Sequence, residues 1–337
     1  MSTVTVAIPV RNGGALFGRV LEALARQTVE HELLVCDSAS TDGSAEAARA
    51  RGARVIEIAP AEFGHGATRN LLVREASGAH VALLTQDAEP ASERWLEHLL
   101  GGFELGGDVA LAYGPYVPRP DASPAVRLEL TRWFASLAPD GAPRVERLDP
   151  SERSLPAATF VGRRGFLSDA NACVLREAWQ RVPFRDVAYA EDRVLALDML
   201  RAGYAKAYVP AAAVLHSHTY TTVEQLRRSF DEARGLLEVY RWREPAGPRR
   251  VLGQLRGALR AADDELASEG APARTRAPVL AGVARHGVAR QAGAILGSRA
   301  DRLPPGVRRA LSLERRAGFA PLDLDEPARI PSREDPR

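Results

Sequence analysis

The stretch Leu83-Leu84-Thr85-Gln86-Asp87-Ala88-Glu89-Pro90 decides how the chain is read. An apolar run beginning at Val81 has the bulk of a buried strand, and it stops at a carboxylate followed by Pro90. Asp87 is therefore expected at the carboxyl end of a sheet, the edge where open α/β sheets take their ligands. An Asp in such a place also often caps the next helix, here one expected to open at Ser92-Glu93-Arg94-Trp95-Leu96. Its meaning depends on what else converges on the same edge.

Upstream, the β-branched run Val4 to Val10 meets Pro9 and the polar loop Arg11-Asn12-Gly13-Gly14, after which Leu16, Val20, Leu21 and Leu24 recur at helical spacing. A second strand, Glu32 to Cys36, ends at Asp37 and the turn-rich run Ser38-Ala39-Ser40-Thr41-Asp42-Gly43-Ser44. A helix over Ala45 to Arg51 and a strand over Arg54 to Ile58 follow. Strands alternating with helices of this length predict a mostly parallel sheet covered on both faces. A dehydrogenase-type dinucleotide site is disfavoured, because Gly13, Gly14 and Gly18 do not have the Gly-x-Gly-x-x-Gly spacing. Next, Phe63-Gly64-His65-Gly66-Ala67-Thr68-Arg69-Asn70 brings two glycines, a His and an Arg to a helix start, where amides and a guanidinium can meet an anion. A plain loop with Thr68 as helix cap is the competing reading.

Together, Ile8-Pro9-Val10-Arg11-Asn12, the run from Asp37 to Ser44, Thr68-Arg69-Asn70 and the strand ending at Asp87 resemble the nucleotide-binding half of glycosyltransferase family 2. Phe-Gly-His-Gly-x-Thr-Arg-Asn and Thr-Gln-Asp-Ala are most similar to its bacterial rhamnosyltransferase branch. The resemblance spans residues 3 to 230 and implies a GT-A fold: α/β, a mostly parallel central sheet with helices on both faces, here with a C-terminal helical extension. It implies a nucleotide-diphospho-sugar donor, dTDP-rhamnose favoured over a UDP- or GDP-sugar, and a divalent cation, Mg²⁺ or Mn²⁺. By the same resemblance Pro9, Arg11 and Asp37 hold base and ribose, Arg69 lies near the diphosphate, and His65 and Gln86 join the donor site. The family's Asp-x-Asp metal motif is incomplete: Thr85 stands where the first carboxylate belongs, leaving Asp87. A hard cation on a diphosphate can take most of its oxygens from phosphate and water, so one carboxylate suffices.

Downstream, a strand at Val109 to Tyr113 leads into the rigid Gly114-Pro115-Tyr116-Val117-Pro118, and Val126, Leu130, Trp133, Phe134 and Leu137 are spaced as one helical face. Pro139 to Pro156 reads as a polar surface loop. In Phe166-Leu167-Ser168-Asp169-Ala170-Asn171-Ala172-Cys173, ahead of a strand or helix beginning at Val174, the resemblance makes Asp169 and Asn171 hydrogen-bonding candidates for donor and acceptor; a turn with capping side chains is the alternative. Glu191-Asp192 opens a helix, a position that the helix dipole favours for acids in any protein. The pair also matches the family's Glu-Asp motif, which implies Asp192 as catalytic base and Glu191 as its neighbour. In Val214-Leu215-His216-Ser217-His218, two imidazoles alternate along an extended segment. The family's metal-binding His aligns with His216, with His218 in reserve.

The chain of 337 residues is 45% hydrophobic and 26% charged, with a formal charge of +2, ordinary values that by themselves indicate no nucleic-acid partner. Cys36 and Cys173 lie in apolar runs and read as core residues of a protein kept in a reducing compartment. The strand starting at Val4 leaves no room for a signal peptide, and no apolar run reaches membrane-spanning length, so a cytoplasmic protein is expected. Composition shifts at Pro245-Ala246-Gly247-Pro248. The expected organisation is a catalytic domain over 1–242 (nucleotide half 1–115, acceptor half 116–242), a basic helical extension over 243–320 and a disordered tail over 321–337. The extension, with Arg on one side of its helices, suits the inner membrane face, packing on the catalytic domain or a second subunit. The expected activity is inverting, metal-assisted sugar transfer to a glycan or lipid-linked acceptor. The alternatives are transfer to a small-molecule natural product and a catalytically idle nucleotide-sugar-binding module.

Overall fold

The computed structural model describes residues 4–324. They divide into two compact units, 4–119 with 133–216 and 120–132 with 217–324.

In chain order the elements begin with β1 (Val4–Val10), α1 (Gly14–Ala25), β2 (Glu32–Asp37), α2 (Ser44–Ala50), β3 (Arg54–Glu57), α3 (His65–Glu75) and β4 (His80–Leu84). Next come β5 (Glu89–Pro90), α4 (Trp95–Gly101), β6 (Val109–Tyr113), β7 (Tyr116–Val117), α5 (Pro124–Leu137), β8 (Arg144–Glu146) and β9 (Asn171–Leu175). Then follow α6 (Arg176–Arg181), α7 (Glu191–Arg201), β10 (Ala205–Tyr208) and β11 (Val214–Leu215). Eight strands make one sheet in the order β3-β2-β1-β4-β9-β6-β10-β8, and β5-β11-β7 make a second, three-stranded one. Pairing in the large sheet is parallel except where β9 runs against β4 and β6, and β8 against β10.

The apolar run of β1 is buried along nearly its whole length, as a central parallel strand requires, and α1 turns Phe17, Val20, Leu21 and Leu24 inward at helical spacing. Pro9 is tolerated within β1 because the ladder to β4 ends at Ala7 opposite Leu83; at Pro9 only β2 is paired. Segment 171–175 settles as strand β9, starting three residues before the expected Val174, and its antiparallel insertion places Asn171 beside the ends of β4 and β6. Gly114 permits the turn after β6, because a Cβ there would overlap the Ala212 carbonyl. Segment 139–156 is not the plain polar loop expected: it contributes edge strand β8, and Arg147 clamps Asp108 with two hydrogen bonds of 2.6 and 2.8 Å. Lys206 on β10, the single lysine of the chain, is wholly buried. Its ammonium donates to the Phe166 carbonyl at 2.7 Å and pairs with Glu146 at 2.5 Å.

The second unit is helical: α8 (Thr222–Tyr240), α9 (Pro248–Ser268), α10 (Ala273–Gly297) and α11 (Pro305–Leu311). Thr221 and Glu224 form a reciprocal capping box at the start of α8. Gly293 and Gly297 let α10 lie directly on α8, since a Cβ at either would overlap the Leu226 or Phe230 carbonyl. Through this contact α8 packs with the C-terminal helices, and residues from 217 onward fall in the second unit. Ala125 and Leu128 of α5 join Ala261, Ala262 and Val283 in a small core of this unit. Of the tail expected to be disordered, residues 325–337 lie outside the described residues, while the Leu322 N–H donates to the Glu238 carbonyl at 2.9 Å and Leu324 is buried.

Candidate functional site

At the carboxyl ends of β1 and β2, two loops are sewn together. The Asn12 N–H donates to Ser40 Oγ (2.9 Å), the Thr41 N–H to Asn12 Oδ1 (2.8 Å) and the Gly14 N–H to Asp42 Oδ2 (2.9 Å). Asp37 ends β2, 3% exposed; its Oδ2 accepts from the Ser40 N–H at 2.9 Å, and its Oδ1 has no hydrogen-bond partner among the described residues. A buried carboxylate oxygen left open at this edge suits a hydroxyl or N–H of a ligand. Pro9 lies at the same edge and Arg11 is exposed just beyond it. Gln86 spends its Oε1 on the Arg11 N–H at 2.8 Å, tying the exit of β1 to the turn that carries Asp87.

Asp87 follows β4 by three residues, as the strand-end reading requires, and does not cap α4, which begins only at Trp95. His216 comes from the end of β11, and its Nδ1 lies 3.6 Å from Asp87 Oδ1. The Tyr116 ring meets the imidazole edge-on at 4.8 Å, and the His216 N–H donates to the Val117 carbonyl at 3.0 Å. A carboxylate oxygen and an imidazole nitrogen this close form a donor set that suits a divalent cation. His218, two residues on, is exposed and stacks on Tyr220.

The second cluster gathers at the starts of α3 and α7. Arg69, in the first turns of α3 and 3% exposed, pairs with Asp169 and, at 3.2 Å, with Glu191. Both partners are buried acids that engage the guanidinium. His65 opens α3 with Nδ1 3.8 Å from Glu191 Oε1. Thr68 sits inside α3, where its hydroxyl accepts from the Gly64 N–H at 3.3 Å. Asn70 fastens the helix to segment 179–184 through Trp179 and Phe184.

Glu191 and Asp192 start α7 as expected, after Ala190 in a left-handed conformation. Burial, then the charge of Asp169, pushes the Asp192 carboxyl up to about 7. Burial likewise pushes Asp169 up to about 7 against the pull of Arg69. Glu191 is also raised, first by burial, with Arg69 opposing. Three carboxyls facing one guanidinium thus hold a proton near neutrality. Asp192 differs from Glu191 in being only partly buried, and its Oδ1 accepts from the Arg193 N–H at 2.7 Å.

The structure removes Asn171 from the ligand-facing candidates. It is wholly buried; its Oδ1 accepts from Trp95 Nε1 (2.9 Å), and its Nδ2 donates to the carbonyls of Ala212 (2.7 Å) and Pro115 (3.2 Å). Every polar atom of the side chain is used to hold strand ends together. Sequence reading also passed over Tyr116. Its hydroxyl donates to Ser168 Oγ while its ring touches His216, and it feels the charges of Asp192, Asp169 and Asp87 together. Tyr116 thus joins the two clusters. Its one signal in the sequence was the stiff Gly114-Pro115-Tyr116-Val117-Pro118 loop.

The parallel-led sheet with its antiparallel insertion, the small second sheet and the acidic strand end constitute the GT-A type of nucleotide-diphospho-sugar transferase fold. The mannosyltransferase PcManGT from Pyrobaculum calidifontis, solved in complex with GDP-Man and Mn²⁺, shares it with a TM-score of 0.55 at 20% identity, over 89% of this chain and 86% of that one. The model of glycosyl transferase family 2 matches residues 5–167. The O-antigen chain rhamnosyltransferase RfbN of Salmonella typhimurium is 31% identical over 234 residues, 68% of this chain and 70% of that protein. The O-antigen chain rhamnosyltransferase WbaN of Salmonella anatum is 31% identical over 237 residues, 68% of this chain and 71% of its own. The chain belongs to glycosyltransferase family 2 and is a glycosyltransferase.

Proposed function

We propose that the protein transfers a deoxysugar, rhamnose from dTDP-rhamnose, to a glycan or lipid-linked acceptor with inversion at the anomeric carbon. The similarity to two O-antigen chain rhamnosyltransferases supports the sugar and the acceptor class. The observation that carries the chemistry is the partly buried Asp192, its carboxyl pushed up to about 7 beside the Arg69-bound acids. A general base works best when its pKa lies near the working pH. Asp192 takes the proton from the acceptor hydroxyl as the new C–O bond forms and the bond to the diphosphate breaks. A single displacement of this kind inverts configuration and needs no covalent intermediate.

Asp37, with its open Oδ1, receives the nucleoside. Asp87 and His216 hold a divalent cation, Mn²⁺ or Mg²⁺. When bound, the ion supplies charge stabilisation to the departing diphosphate. Arg69 fixes Asp169 and Glu191, so that Asp192 keeps its place beside the acceptor. The deciding experiment pairs thermal shift with dTDP-rhamnose, with and without Mn²⁺, and a transfer assay. Stabilisation by UDP- or GDP-sugars alone refutes the donor; donor binding without transfer to any glycan leaves the idle-module reading.

Arg249, Arg250, Arg256 and Arg260 on α9 are exposed, and none of the four is in an ion pair among the described residues. No acidic residue lies between 245 and 262, and Leu252 is 50% exposed. No described helix is long and apolar enough to cross a membrane. This face suits peripheral contact with anionic lipid. Co-sedimentation with phosphatidylglycerol vesicles tests it, and equal binding to neutral vesicles sinks it.

A further inference from the structure

We propose that Arg119 is a positioning residue for the cation-binding end of the site, holding the main chain of Asp87 in register with His216. The inference rests on the Asp87–His216 cation site proposed above. Arg119 is 7% exposed and lies between Pro118 and Pro120, just after β7. Its Nη2 donates to the Asp87 carbonyl at 2.6 Å and its Nη1 to Glu89 Oε2 at 3.1 Å. Arg19 of α1 approaches the same Glu89 oxygen at 3.4 Å.

The need for such a clamp follows from the small sheet. Leu215 of β11 pairs with Glu89 on one side and Val117 on the other, and all three strands have two residues. Two-residue strands supply few ladder bonds, so the geometry of the Asp87–His216 pair depends also on contacts from outside the small sheet. Arg119 closes the arrangement from outside the ladder, reaching from the far end of β7 to the turn before β5. A planar fork can hold a carbonyl and a carboxylate at once, which a lysine ammonium on a flexible stem cannot reproduce. Glu89 balances the guanidinium charge, so Arg119 acts on the cation site through geometry.

The test is an Mn²⁺ titration of the full chain with dTDP, read by electron paramagnetic resonance, alongside the Mn²⁺ concentration for half-maximal transfer. Arg119→Met is expected to weaken Mn²⁺ binding by about 10- to 100-fold, the usual effect of removing a group that orients a metal ligand. Saturating Mn²⁺ restores most of kcat. Arg119→Lys weakens binding nearly as much. Arg147→Met, which removes an arginine clamp in the same unit, leaves Mn²⁺ affinity unchanged. A folded Arg119→Met with wild-type Mn²⁺ affinity overturns the proposal. If that variant does not fold, Arg119→Lys decides by the same reading. Should Asp87→Asn abolish Mn²⁺ binding while both Arg119 variants keep it, only the clamp fails. Should the wild type transfer sugar and bind no Mn²⁺, the cation site and the clamp fall together.

Discussion

Two acidic clusters in the first unit use similar side chains under different conditions. Asp87 stands beside an imidazole, with a guanidinium on its main chain. Asp192 stands among like charges, close to two buried acids that share Arg69. Neighbours, not residue type, set the role of a carboxylate. In the proposed function, the one beside an imidazole meets a cation from solution, whereas the one crowded by other acids takes a proton. Tyr116 touches His216 with its ring and Ser168 with its hydroxyl, so the two settings are spanned by one side chain.

The contrast is broken most severely at Asp192. Asp192→Asn should lower kcat by about 10²- to 10⁴-fold, with the dissociation constant for the donor changed less than about threefold. Equal transfer rates for variant and wild type would end the base assignment. Asp87→Ala should act on both quantities, weakening metal-dependent donor binding and cutting kcat/KM by about 10²-fold. Calorimetry with dTDP and Mn²⁺ checks this, and undiminished binding would detach Asp87 from the donor.

How much of this was legible in the sequence varied with the range of the interaction. Asp87 at a strand end, Glu191-Asp192 at a helix start and His216 after a strand all follow from short stretches whose patterns are local. The course of β9 does not. Apart from Asn171, β9 is small and apolar, with nothing to say that it will run antiparallel between β4 and β6, whose paired residues lie about 60 to 95 positions earlier. Asn171 was misjudged for the same reason, since its three partners, the first residue of α4 and two loop carbonyls, are distant in sequence. Arg119 looks from the sequence like any arginine between two prolines, and the boundary at 217 depends on two glycines of α10 that meet α8.

Smaller effects sharpen the comparison. Because the Asp192 carboxyl sits at about 7 and must be ionised to accept a proton, kcat/KM should rise with pH through that region. Asp169 raises Asp192, so Asp169→Asn should move the rising limb to lower pH, a shift that a pH–rate profile measures. A limb that stays in place or moves up contradicts the coupling. At the other extreme, Arg147→Met breaks a half-exposed pair with Asp108. It should cost about 1 kcal/mol or less in denaturant titration and leave transfer unaltered.

Lys206 brings a practical gain. An endoprotease specific for lysine finds one target bond in the whole chain, after residue 206. The fold seals that bond on β10, between β6 and β8. Cutting into fragments 1–206 and 207–337 therefore times the opening of that end of the sheet, without any engineered label.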